Sequence, residues 1–228
     1  MKKRSLIQFA KAPVPGKVKT RLMSQYSAEQ AAEIHCALTV QTFQTLQQSN
    51  ADQVELHIGG DPQHHFFQQA PFEQAILKAQ VVGDLGNKMR QALNNSLEQY
   101  QYCLLVGSDC PVFTTTVLEQ AFLALQGNGQ QPGTDLVLIP AEDGGYVLIG
   151  CRCQLPDDVF EGINWGESTV LAQTLANLKQ QRLSYTLLPT LWDVDHPEDV
   201  ARWQQENENN KPAVSTLEKI SVIAEKIA

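Results

Sequence analysis

Carboxylates stand at three places in this chain where a divalent cation or a transferred proton could be held. Asp109 lies in Gly107-Ser108-Asp109-Cys110-Pro111, directly behind the apolar run Tyr102 to Val106. A carboxylate at the end of a buried strand, braced by a small residue and a proline turn, suits Mg²⁺ or Mn²⁺. Such cations prefer oxygen ligands and share their shell with substrate phosphates. The same aspartate would serve equally as the cap of the following turn. Asp143 lies in Ala141-Glu142-Asp143-Gly144-Gly145-Tyr146. Paired glycines let a ligand approach the backbone, and a carboxylate there could act as base or orient an acceptor. A hairpin turn that merely needs Asp-Gly explains the same residues. Asp193 and Asp195 alternate on Trp192-Asp193-Val194-Asp195, an extended spacing that turns both to one side. Asp195, just ahead of His196-Pro197, would also fit as the cap of a helix containing Glu198.

The cations gather elsewhere. Lys2, Lys3, Arg4, Lys11, Lys17, Lys19 and Arg21 place seven of the 17 Lys and Arg in the first 21 residues of a chain with net charge −8. An acidic chain argues against general nucleic-acid binding. A local basic patch on it points to a small anionic ligand such as a phosphate, while Lys2 to Arg4 read as a solvated terminus. The loop Lys11 to Leu22 matches neither Gly-x-x-x-x-Gly-Lys-Ser/Thr nor Gly-x-Gly-x-x-Gly, so a diphosphate loop and a plain basic turn both remain open.

The elements that must carry these residues alternate. Ser5 to Ala10, Val54 to Ile58, Tyr102 to Val106, Asp135 to Ile139, Tyr146 to Cys151 and Tyr185 to Leu188 read as strands, and Ala75 to Val82 as a further short apolar stretch. Ser27-x-x-Gln30 starts a helix through Ala31, Ile34 and Leu38, and Met89, Ala92, Leu93 and Leu97 mark another. Thr116-x-x-Glu119 caps the next, Ser168 opens one with Leu171, Leu175 and Leu178 inward, and Pro197 to Gln205 forms a short one. Asp61 to Pro71 gives little signal. This alternation predicts an α/β sandwich with a mainly parallel sheet, whose ligands sit at the carboxyl ends of the strands. Residues 1–206 read as a single catalytic domain. Residues 207–228 read as linker plus a C-terminal amphipathic helix through Val214, Leu217, Ile220 and Ile223, docking on its own domain or on a twin subunit.

No apolar run approaches the ~18–20 residues that span a bilayer. The apolar stretch behind Lys2-Lys3-Arg4 stops at Lys11, too short for a signal peptide, and the expected location is the cytoplasm. Five cysteines with no Cys-x-x-Cys pair indicate reduced thiols rather than a disulfide framework or a zinc knuckle.

Taken together, Phe9-Ala10-Lys11-Ala12-Pro13-x-Pro15-Gly16-x-Val18-Lys19-Thr20-Arg21-Leu22, Gly83-Asp84-Leu85-Gly86-x-x-Met89, Gly107 to Pro111, Glu142 to Tyr146 and Asp193-Val194-Asp195-x-Pro197-Glu198-Asp199 closely resemble one bacterial family. It is the group of glycosyltransferases with a GT-A-like, nucleotide-diphospho-sugar transferase fold. The likeness runs from about Leu6 to Trp203. It implies a Rossmann-like three-layer α/β/α sandwich that binds a nucleotide-sugar or an NTP with Mg²⁺ or Mn²⁺. On that resemblance Asp109 and Asp195 would hold the metal, and Lys11, Lys19 and Arg21, with Ala10 and Ser108 beside them, would face the phosphates. Gly83, Asp84, Gly86 and Lys88 would border the base or ribose. Gly144, Gly145 and Tyr146 would line the acceptor or sugar pocket, with Asp143 as base. Position 88 is Lys where the family commonly has Arg, which forfeits bidentate phosphate contact. The first loop also lacks the Gly-rich run with which nucleotidyltransferases wrap a triphosphate, so sugar transfer to a small-molecule or lipid acceptor leads and nucleotidyl transfer is the rival.

Overall fold

A computed structural model of the chain describes residues 3–209. Seven strands form one sheet: β1 Arg4–Lys11, β2 Gln53–Gly59, β3 Ile76–Ala79, β4 Tyr102–Val106, β5 Leu136–Pro140, β6 Tyr146–Cys151 and β7 Tyr185–Leu187. Five α-helices are interleaved: α1 Ala28–Gln47, α2 Leu85–Leu97, α3 Thr115–Gln126, α4 Val170–Gln180 and α5 Pro197–Asn209. The strand order is β3-β2-β1-β4-β6-β5-β7. All neighbours are parallel except β6, which runs antiparallel to β4 and to β5.

Strand alternation divides the core into two layers. Leu6, Leu104, Val106, Val137 and Ile139 turn to one face, with Leu118, Ala121, Phe122 and Leu125 of α3 packed over them. Ile7, Leu105, Leu136, Leu138 and Ile149 turn to the other, beneath Met89 and Leu93 of α2 and Val170 and Leu178 of α4. Helix α5 packs against the 3₁₀ turn Thr20–Ser24, and its Val200 and Trp203 join a cluster with Leu22, Ile34 and Leu38. Both faces of the sheet are therefore covered, which is why β4 and β5 read as unbroken apolar runs.

Local details depart from the expected pattern at the helix ends. The Ser27–Gln30 capping box is present in full. The cap of α3, by contrast, is Thr114, which accepts from the Val117 amide, and not Thr116, which lies inside the helix. Helix α4 buries Val170, Thr174 and Leu178; Leu171 and Leu175 are only partly covered, because the core-facing stripe begins one residue earlier. Asp61 to Pro71, silent in sequence, carries a 3₁₀ turn at His65–Gln68. Its Phe66 and Phe67 pack on the Phe72 ring at 5.2 and 5.7 Å, and Phe43 meets the same ring at 5.0 Å. Helix α5 runs through Asn209, past the residue at which the polar run was expected to become a linker. The C-terminal amphipathic helix beyond it lies outside the described residues.

Buried Glu55 on β2 links two strands. Its oxygens lie 2.8 Å from His57 Nε2 and 2.9 Å from Lys78 Nζ on β3. Burial raises its carboxyl, but His57 and Lys78 outweigh burial and hold it below the usual range. A depressed carboxyl contributes stability above its unfolded value, and that contribution is lost as pH falls through the folded value. Glu55→Gln is expected to cost about 1–2 kcal/mol at pH 7. Chemical denaturation of both proteins should show the gap constant at neutral pH and closing below about pH 4. A gap that persists unchanged into acid would count against the ion pair as its source.

Candidate active site

Three of the strand-end loops meet around one buried ammonium. Lys19 adopts a left-handed backbone conformation, φ +47°, uncommon for a residue with a side chain. Its Nζ lies 2.9 Å from Asp109 Oδ2 and 3.1 Å from Asp195 Oδ1, and it also donates to the Val194 carbonyl. Arg21 Nη1 reaches the other Asp195 oxygen at 2.7 Å. Burial works against the Lys19 ammonium, yet Asp109 and then Asp195 raise its pKa. Burial likewise opposes the Asp109 carboxylate, but Lys19 and His35 outweigh it and keep it charged far into acid. His35 Nε2 donates to the Lys11 carbonyl at 3.0 Å, so its Nδ1, 3.9 Å from Asp109 Oδ1, is too far to hydrogen-bond. Asp109 Oδ1 is therefore a buried oxygen without a partner.

A second group of oxygens gathers beside this one. Asp143, Asp193 and Asp195 each bring a carboxylate oxygen within 4.8 Å of the other two. The backbone explains why. Leu191 bridges to Ala141 at the end of β5, and Val194 N donates to Asp109 O at 2.9 Å. The segment is thus stitched between β4 and β5, with Val194 buried and Asp193 and Asp195 turned outward. Asp143 is exposed, and its Oδ1 accepts from the Gly145 amide at 2.8 Å. Burial first, then the charges of Asp195 and Asp143, push the Asp193 carboxyl up to about 7. Among the described residues, these four carboxylates, Asp109 included, face two permanent cations, Lys19 and Arg21. The donor set is all oxygen and two positive charges short, and both properties suit a divalent cation of the Mg²⁺ or Mn²⁺ kind.

The acidic group opens onto a cavity of about 200 Å³. Its walls include Phe9, Leu85, Met89, Leu105, Tyr146 and Trp165, and Asp143 and Asp193 stand on its rim.

The expected site residues distribute unevenly over this arrangement. Asp109, Asp195, Lys19, Arg21 and Asp143 come together, although Lys19 stands between Asp109 and Asp195 and is spent on them. Lys11 is exposed at the end of β1, and Ala10 beside it is buried. Ser108 is buried, donating to the Phe9 carbonyl at 2.7 Å and accepting from Gln8 Nε2 at 2.9 Å, which fixes the turn that presents Asp109. Asp84 caps α2 by accepting from the Asn87 amide, with Gly83 before it and Lys88 in the first turn. Gly86 answers to packing, since a Cβ there would lie 2.6 Å from Phe160 and 2.9 Å from Trp165. Gly144, φ +91°, leaves room for protein rather than for a ligand: its Cβ would sit 2.1 Å from the Ser168 carbonyl oxygen. Among the described residues, no hydrogen bond from the first turn of α5 to the Asp195 side chain accompanies the second role considered for it, capping α5. Instead Asp199, inside the helix, reaches back so that its Oδ2 accepts from the Asp195 and His196 amides. Asp193 was legible only through its two-residue spacing from Asp195. Phe9 stood only as the first residue of the leading motif, and for His35 and Trp165 the sequence carried no signal.

A family described as an uncharacterized protein conserved in bacteria (DUF2064) matches residues 41–167. No curated protein matches by sequence. Among solved structures, a provisionally assigned nucleotide-diphospho-sugar transferase from Desulfovibrio desulfuricans G20 is 31% identical, with a TM-score of 0.82 over 100% of this chain and 97% of that one. A cytidylyltransferase from Leptospira borgpetersenii serovar Hardjo-bovis follows at 11% identity and TM-score 0.60, covering 99% and 95%. A CMP:2-keto-3-deoxy-manno-octonic acid synthetase complexed with CTP gives 9% and 0.59, covering 90% and 100%. At those two identities the likeness is one of fold. The three-layer, mainly parallel architecture is that of the nucleotide-diphospho-sugar transferases, as the motifs implied.

Proposed function

This chain belongs to the DUF2064 family, and on that footing we propose that it is a transferase that moves a sugar from a nucleotide-diphospho-sugar to an acceptor hydroxyl. One observation carries the reading: Asp143, Asp193 and Asp195 converge at the rim of an apolar cavity, at the carboxyl ends of the strands. The relative 31% identical over the whole chain supports it.

Asp193 and Asp195, with the unpartnered Oδ1 of Asp109 beside them, would hold a divalent cation. When bound, such an ion neutralises the charge that builds on the leaving diphosphate. Lys19 keeps Asp109 and Asp195 ionised and in place, and Lys11 and Arg21 line the approach for phosphate oxygens. Asp143 is the group to receive the acceptor proton as the acceptor oxygen bonds to the anomeric carbon. The sugar–phosphate bond breaks in the same step, and the nucleoside diphosphate departs with its electrons. The same carboxylates would serve nucleotidyl transfer, in which a phosphate oxygen attacks the α-phosphorus of an NTP and pyrophosphate leaves. The fold shared with the cytidylyltransferases keeps that reading as the rival.

Thermal unfolding with UDP, CTP, NTPs and UDP- or GDP-sugars, each with and without Mn²⁺, separates the two. Ligand at 100 Kd should stabilise by about 2.7 kcal/mol. The informative variant is Asp193→Asn, which removes a carboxylate that its neighbours repel. Without ligands it should melt at the wild-type temperature or slightly above, and it should lose the Mn²⁺-dependent shift with the diphosphate nucleotides. A metal-dependent shift with NTPs alone would move the assignment to nucleotidyl transfer. Metal-dependent binding retained in full by Asp193→Asn would sink the acidic cluster as the site.

A further inference from the structure

Three carboxylates within 4.8 Å of one another repel, so something has to hold them there. Asp195 is tied by Lys19 and Arg21, but among the described residues neither Asp143 nor Asp193 forms an ion pair. Their segments come from different loops, and the two backbones last bond where the Glu142 amide donates to the Leu191 carbonyl at 3.1 Å. The restraint lies behind them, on α5. Arg202 donates through both terminal nitrogens to Glu142, Nη1 to Oε2 at 2.9 Å and Nη2 to Oε1 at 3.4 Å. The same guanidinium lies over the Trp192 ring, 4.2 Å from its centroid. Glu142 precedes Asp143 and Trp192 precedes Asp193, so one side chain grips the residue before each carboxylate. Trp192 is buried with Val194, Val200 and Trp203, while Asp193 stands at the cavity rim on the other side. A single exposed ion pair does little, but a two-pronged contact combined with stacking fixes direction as well as distance. Val200 and Trp203, 1% and 4% exposed, anchor the helix that carries it.

Resting on the reading above, in which Asp193 and Asp195 hold the cation, we propose that Arg202 is a positioning residue for that centre. Through Trp192 it sets Asp193 against Asp195, and through Glu142 it sets Asp143 against both, without touching any of the three. The sign of its effect separates this role from that of a nearby charge. A cation beside an acidic site disfavours a second cation, so loss of the charge alone would tighten metal binding. Loss of a clamp weakens it, because the carboxylates relax apart and the ion must draw them back.

Mn²⁺ titration of the full chain, without nucleotide and read by electron paramagnetic resonance, tests this. Arg202→Ala should bind Mn²⁺ roughly tenfold more weakly than wild type, as is usual when a group that orients metal ligands is lost. Arg202→Lys keeps the charge but neither holds both Glu142 oxygens nor lies flat on Trp192, so it should weaken binding too. Glu206→Gln removes the remaining contact of Arg202, 3.6 Å away on the same helix, and should bind as wild type does. Crystal structures of wild type and Arg202→Ala without metal supply a readout independent of binding. The carboxylate oxygens of Asp143, Asp193 and Asp195 should no longer lie mutually within 4.8 Å in the variant. Equal or tighter Mn²⁺ binding by Arg202→Ala overturns the proposal, and so does a variant in which the three carboxylates have not moved. If wild type binds no Mn²⁺, the metal reading falls and the crystal comparison alone decides the clamp. If wild type and Arg202→Ala bind it equally, only the clamp falls.

Discussion

Lys19→Met is expected to cost the fold about 2–3 kcal/mol and to abolish metal-dependent nucleotide binding. The side chain is 5% exposed and bridges Asp109 and Asp195, which are 37% and 30% exposed. Removing one member of a buried ion pair costs more than the pair is worth, because the remaining charges stay where they were without a partner. The partial exposure of both aspartates lets water offset some of that, so the lower end of the usual range applies. Two further losses accompany it: the Val194 carbonyl gives up its donor, and the left-handed backbone at position 19 loses the contacts that hold it. Urea denaturation at pH 7 measures the first effect. Adding Asp109→Asn to Lys19→Met should recover part of the loss, since the double variant no longer buries an uncompensated charge, and a double-mutant cycle should give a coupling of about 1 kcal/mol or more. Strictly additive effects would show that the 2.9 Å contact carries no energy.

Gly144→Ala is the second large effect, at about 3 kcal/mol. Two costs combine in it. The backbone at φ +91° lies where side chains are rarely tolerated, and the added methyl would stand 2.1 Å from the Ser168 carbonyl oxygen, a backbone atom that cannot swing aside. The strand-to-strand turn must then shift, and with it Asp143 and the bond from the Leu171 amide to the Gly144 carbonyl, 2.9 Å long, that anchors the first turn of α4. Gly145→Ala makes the comparison, because its Cβ would meet nothing nearer than the Asp143 carboxylate at 3.2 Å. It should cost well under half as much by denaturant titration. Equal losses at the two positions would mean that the close approach of Ser168 is not what fixes Gly144.

The contrast between these neighbours shows what the sequence could and could not convey. Strand positions were legible because burial on both faces leaves an unmistakable composition: β4 and β6 fall at Tyr102–Val106 and Tyr146–Cys151, as their apolar runs predicted. The residues behind them were legible as strand-end positions, which is how Asp109, Asp143 and Asp195 were singled out. Which of these oxygens face one another was not. That depends on Lys19 entering between Asp109 and Asp195 and on Leu191 bridging to Ala141, contacts between residues far apart in the chain that leave no local mark. The glycines misled for a related reason. A glycine at 86 or 144 signals only that something comes close, and Phe160, Trp165 and Ser168 turn out to be what does. Trp165, on an irregular stretch between β6 and α4, has no periodicity to betray that it walls a cavity.

The Lys19–Asp195 contact also has a consequence in time, because it joins residues 176 positions apart. During synthesis the N-terminal loop leaves the ribosome long before the segment Leu191 to Asp195 exists. Strands β1 to β7 end at Leu187, so a sheet can assemble on the nascent chain while Lys19 has only Asp109 to answer its charge. Asp193 and Asp195 then arrive together, and their arrival closes the ammonium site and the acidic cluster in one event. The cluster therefore depends on a late segment of the chain: without Asp193 and Asp195 the three carboxylates cannot converge.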